Sequence, residues 1–68
     1  MVPTPKQIGR TLKRLRTARG LTRYALAKQA GISREYVTKL EAGRSDPTVG
    51  MLGKLAKALD VPVTRFLE

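Results

Sequence analysis

Thr22 to Arg44 reads TRYALAKQAGISREYVTKLEAGR. Its spacing predicts two short helices joined by a tight turn. Leu26, Ala27 and Ala30 are apolar at helical spacing in the first segment, and Val37 and Leu40 stand three apart in the second. Gly31 interrupts the pattern and suits a left-handed C-terminal position, where a Cβ is unfavourable. Ile32 follows as a buried anchor. Ser33 stands where an N-cap is wanted, because its hydroxyl can accept a bond from a free N–H of the next turn. Helix, glycine turn and helix make a helix-turn-helix, a unit whose second helix lies in the DNA major groove.

Upstream, Thr4-Pro5-Lys6-Gln7 combines an N-cap residue, Pro at the first helical position and Gln three after the cap. A helix is expected from there to about Arg19, ended by Gly20. Ile8, Leu12, Leu15 and Arg19 share one face, while Lys6, Arg10, Lys13, Arg14 and Thr17 fall largely elsewhere and should be wet. Residues 1–3 are expected to be disordered. In the central stretch, Thr22 caps a helix to Ala30, and Ser33 one to about Ala42, with Gly43 as its stop.

Downstream, Asp46-Pro47 marks a turn. A fourth helix starts at Thr48 and carries Met51, Leu52, Leu55, Ala56 and Leu59. Gly50 and Gly53 lie inside it, each less favourable than Ala by roughly 1 kcal/mol. Either a close backbone approach requires them or the helix is weak. Pro62 opens a short fifth helix, with Val63, Phe66 and Leu67 as its apolar side. The expected fold is therefore all-α, with residues 4–68 as one domain.

The 68 residues contain neither cysteine nor histidine. Disulfides, thiolate metal sites and the commonest general base are thereby excluded. Five scattered acids suggest no catalytic centre, and an enzyme is not expected. No cofactor or metal is called for. No apolar run approaches the ~20 residues of a membrane span, and Met1 to Gln7 lacks the apolar core of a signal peptide. The default expectation is a soluble cytoplasmic protein. Residues 1–44 carry 11 Lys/Arg against 2 acids, a net +9, whereas residues 45–68 carry 3 against 3. A solubilising surface would not explain a neutral C-terminal third, so the asymmetry points to a polyanion partner.

The chain resembles the lambda-repressor-like, Cro-type helix-turn-helix family. The matching residues are Gly20-Leu21-Thr22, Leu26-Ala27, Gly31-Ile32-Ser33, Val37, Leu40-Glu41, Gly43, Pro47, Leu52, Leu55-Ala56, Leu59 and Val61. Each piece alone is weak; in order and at this spacing they are specific, and they extend from about Ile8 to Leu67. The resemblance implies a compact five-helix, DNA-binding transcriptional regulator. Asp60 stands where the family usually has a helix-ending Gly, and Asp tolerates the left-handed conformation fairly well.

On the second helix of the motif, Arg34, Glu35, Thr38, Lys39 and Ala42 share an arc about 140° wide. Val37 and Leu40 lie opposite. Matching positions carry direct readout in the family. Arg34 and Lys39 suit the guanine O6 and N7 acceptors, and Glu35 can accept from cytosine N4. The alternatives are phosphate contacts for the basic pair and a helix-terminus role for Glu35. Thr38 could meet a thymine methyl or a phosphate. Thr22, Arg23, Ser33, Tyr36 and Arg44 are phosphate candidates, since helix N-termini present free N–H groups to an anion. Tyr36 could instead pack on the turn. The family often has Gln at position 23, bonding a phosphate and bracing the second helix; Arg23 keeps donors and adds charge. Arg16 and Glu41 lie on inner helix edges, and similar proteins pair these positions across the core; the alternative is two exposed charges.

The leading expectation is a sequence-specific binder of double-stranded DNA, a homodimeric repressor or autoregulator on a palindromic operator, nucleoid-associated when bound. No small-molecule effector is evident. A dimer contact is expected in the neutral C-terminal third, at Met51, Val61, Val63 or the loop after Arg44, unless these pack within the monomer. A general RNA or single-strand binder would need exposed aromatics for stacking, and only Tyr24, Tyr36 and Phe66 are present. An interaction protein such as an antitoxin is a third class.

Overall fold

Four hydroxyl side chains start the helices. In the computed structural model, which describes residues 2–68, Thr4, Thr22, Ser33 and Thr48 each accept a hydrogen bond from the backbone N–H three residues on. The elements are α1 (Pro5–Ala18), α2 (Arg23–Ala30), α3 (Arg34–Glu41) and α4 (Val49–Leu59), followed by a 3-10 turn, Val63–Phe66. The described residues contain no strand. At α1 the capping box is complete: the Thr4 N–H donates to Gln7 Oε1 at 2.8 Å, and the Gln7 N–H to Thr4 Oγ1 at 3.2 Å. The disorder expected at residues 1–3 falls, for Met1, outside the described residues; Val2 and Pro3 precede α1 without regular secondary structure.

The stops also follow local chemistry. Gly31 takes φ +71°, and the Ile32 N–H turns back onto the Ala27 carbonyl at 3.0 Å. Asp60 does the same after α4 at φ 56°, with the Val61 N–H on the Ala56 carbonyl at 3.0 Å. The αL stop thus survives the replacement of Gly by Asp. Arg19, expected on the inner face, is instead the C-cap of α1; it is exposed and lies 3.6 Å from the Asp60 carboxylate.

The expected fifth α-helix is corrected. The segment after Pro62 closes with i→i+3 bonds, Arg65 N–H to the Pro62 carbonyl and Leu67 N–H to the Thr64 carbonyl, both at 3.0 Å. The count is four α-helices and one 3-10 turn. The reason is side-chain placement: in a 3-10 turn residues i and i+3 eclipse, so Val63 and Phe66 both point inward. Leu67, which an α-helix would have brought inward with Val63, is 52% exposed.

Leu12, Leu26, Val37, Leu40, Leu55, Leu59 and Phe66 are almost fully buried, so every element contributes to one core. One contact brings α1 and α3 unusually close. A Cβ built on Gly9 would stand 2.3 Å from the Leu40 carbonyl oxygen and 2.9 Å from that of Glu41. By contrast, a Cβ on Gly53 meets nothing within 4 Å, and one on Gly50 only Thr48 Oγ1 at 3.8 Å. Among the described residues no close approach requires either glycine of α4.

Candidate nucleic-acid interface

Besides Val37 and Leu40 in the core, ionic side chains tie α3 to the rest of the molecule. Arg16 Nε donates to Glu41 Oε2 at 2.5 Å, and Arg16 Nη2 to Glu41 Oε1 at 3.2 Å. Arg16 Nη1 also donates to the Leu21 carbonyl at 2.7 Å. This bidentate pair spans α1 and α3 with side chains only 10% and 2% exposed. Arg23 Nε donates to the same carboxylate at 2.9 Å from the first turn of α2. Burial would raise the Glu41 pKa, but hydrogen bonds from Arg16 and Arg23, with their charges, outweigh it and hold the carboxyl below its ordinary value.

Three helices are thus tied to one carboxylate, and the outer face of α3 is left clear. Arg34, Glu35, Thr38 and Lys39 are all exposed. Arg34 Nη2 and Glu35 Oε2 are 4.0 Å apart with both side chains mostly in water, too loose to occupy either. Among the described residues Lys39 has no ion-pair partner. The Thr38 hydroxyl donates to the Arg34 carbonyl at 3.1 Å, and the side chain is otherwise exposed.

The residues expected near phosphates differ in how far the fold engages them. Thr22 and Ser33 accept from the Ala25 and Tyr36 N–H groups at 3.0 Å each, so their hydroxyl protons remain free to donate. Arg44 is exposed and its side chain has no ion-pair partner among the described residues. Arg23 is engaged through Nε yet remains 42% exposed, so it braces α2 against α3 and still presents its other nitrogens. Tyr36 is half-buried and packs against the core.

Two features escaped the sequence. Tyr24 is 61% exposed and stands between two open grooves, both of which also include Arg34. Its aromatic type and its place one residue after Arg23 were the available signal. Gly9 gave none, since a glycine inside a helix does not announce which backbone it meets. Met51, Val61 and Val63 pack partly against the core, whereas Val49 is 81% exposed.

Comparison with known proteins agrees with this fold. The model of the Helix-turn-helix family HTH_3 matches residues 12–66. The chain is 43% identical over 56 residues to an uncharacterized HTH-type transcriptional regulator, y4dJ, of Sinorhizobium fredii, covering 82% of this chain and 73% of that protein. It is 35% identical over 60 residues to the immunity repressor protein of Bacillus phage phi105, covering 88% of this chain but only 42% of the repressor. The crystal structure of the restriction-modification controller protein C.AhdI from Aeromonas hydrophila superposes with a TM-score of 0.90 at 35% identity, over 93% of this chain and 96% of that one. The chain belongs to the lambda-repressor-like, Cro/C1-type helix-turn-helix family.

Proposed function

We propose that residues 4–68 act as one DNA-binding domain of a transcriptional regulator, a homodimer that represses from a palindromic operator. Arg34, Glu35, Thr38 and Lys39 read base edges in the major groove, Thr38 through its methyl group. Thr22, Arg23, Ser33, Tyr36 and Arg44 hold phosphates, Tyr36 through its hydroxyl. The observation that carries this reading is the exposed polar arc of α3, held clear of the core by the Arg16–Glu41–Arg23 cluster. The regulators and the repressor among its relatives support it, and none of these names describes an enzyme. Under this reading the protein works in the cytoplasm, on the nucleoid when bound.

One recognition helix reads too few base pairs for a useful site, and two-fold related copies would place theirs about one turn, ~34 Å, apart. A second copy would meet the neutral C-terminal part, where Val49 is exposed and Met51, Val61 and Val63 each keep part of their surface. Selection of bound sites from a random duplex pool tests the proposal. The expected outcome is an enriched sequence with two-fold symmetry. Equal affinity for single-stranded DNA or RNA of the same length, with no enriched sequence, overturns it.

A further inference from the structure

The first helix carries a row of cations that the helix-turn-helix does not use. Lys6, Arg10, Lys13 and Arg14 are exposed, and none has an ion-pair partner among the described residues. Their direction is set by the helix. At about 100° per residue, Ile8, Leu12 and Leu15 point to the core at about 0°, 40° and 340°, and Gly9 meets α3 at about 100°. Lys13, Lys6 and Arg10 follow at about 140°, 160° and 200°. They therefore continue round α1 past its contact with α3, on the side away from the core, as the polar arc of α3 is also turned away from the core. Arg14, at about 240°, lies beyond them.

The row also joins the end of α3. A Cβ on Gly43 would stand 2.7 Å from Lys6 Cγ, so the Lys6 stem lies over the residue next to Arg44. From Lys6 to Lys13 the helix rises about 10 Å, the length of about three phosphate steps of one strand measured along the duplex axis. Three flexible cations thus cover a short run of one backbone strand.

Granted the duplex binding proposed above, we infer that Lys6, Arg10 and Lys13 form a second phosphate-binding row, which extends the interface from Arg44 along the DNA backbone flanking each half-site. The occupant is the same duplex, because the row is continuous with the end of α3 and carries the complementary charge. It contributes affinity and no sequence information, as phosphate contacts do.

The test compares wild type with Lys6→Gln/Arg10→Gln/Lys13→Gln on the selected duplex, with and without flanking base pairs, over a series of salt concentrations. Each lost phosphate contact lowers the salt slope by about 0.9. The triple variant should therefore lose roughly 40-fold less affinity per protomer than wild type over a fourfold rise in salt. It should also gain nothing from the flanks and select the same sequence. Arg10→Gln/Lys13→Gln, which leaves the Lys6 stem on Gly43, should show about two of the three steps. Arg14→Gln, which removes one charge beyond the row, should leave the slope near that of wild type, where one row residue would lower it by about 0.9. Equal effects of Arg14→Gln and the row substitutions, an unchanged slope in the triple variant, or flanks that matter only by recruiting a second duplex each overturn the row. In all three of these cases wild type still selects a sequence. Wild type that selects none overturns the duplex-reading proposal and the row together.

Discussion

Arg23 Nε and Glu41 Oε1 lie 2.9 Å apart and join the first turn of α2 to the last turn of α3. Arg16 completes the cluster from α1. Three consequences for stability follow from the burial of its members. Glu41→Ala leaves the Arg16 guanidinium buried and unpaired, and should cost about 3–5 kcal/mol, most of the stability of so small a core. Arg16→Ala should cost less, because Glu41 keeps Arg23. Arg23→Ala, at a half-wet position, should cost about 1 kcal/mol or less. Thermal and denaturant melts give the order, and a Glu41→Ala variant that melts like wild type would contradict it.

The same carboxylate predicts a pH dependence. Its folded pKa lies below the ordinary value of 4.5. The stabilisation is therefore complete above that unfolded value, and is lost as pH falls towards and through the lower folded one. The difference in Tm between wild type and Glu41→Gln should be constant well above pH 4.5 and should narrow below it. A gap that widens on acidification would reverse the sign.

Gly9 and Gly53 should respond oppositely to the same substitution. Gly9→Ala drives a methyl against the Leu40 carbonyl oxygen, a backbone atom that cannot rotate away. Destabilisation of about 1–3 kcal/mol is expected, or more if α1 and α3 cannot separate. Gly53→Ala finds open space on the exposed side of α4 and should stabilise by roughly 1 kcal/mol. Equilibrium unfolding at dilute protein concentration measures both.

Base reading and phosphate holding separate by salt. Lys39→Ala should cost about 1–3 kcal/mol on the preferred site and much less on random DNA, and should flatten preference at one position of each half-site. Arg44→Ala should weaken both duplexes alike and lower the salt slope by about one per protomer. Arg23→Ala should leave the preferred sequence unchanged. The readout is affinity for cognate and scrambled duplexes at several salt concentrations. Equal losses on both duplexes for Lys39→Ala and for Arg34→Ala would leave α3 without a reading role.

The sequence by itself determined the helices, because their causes are local. Thr4, Thr22, Ser33 and Thr48 cap N–H groups three residues away, and Gly31 ends α2 through its own backbone. The apolar spacing then dictates which face each helix buries, and with it the outward arc of Arg34, Thr38 and Lys39. Asp60 was legible for the same reason, since its left-handed turn needs only bonds to α4. Tertiary structure alone decided what depends on residues far apart in the chain. Gly9 meets Leu40, and Arg23 finds Glu41, only once α1 and α2 have packed against α3. The segment after Pro62 winds as a 3-10 turn and turns Leu67 outward because Phe66 must reach a core built by the other helices. No local pattern carries that information, because each of these contacts is set by where two separately folded segments come to lie.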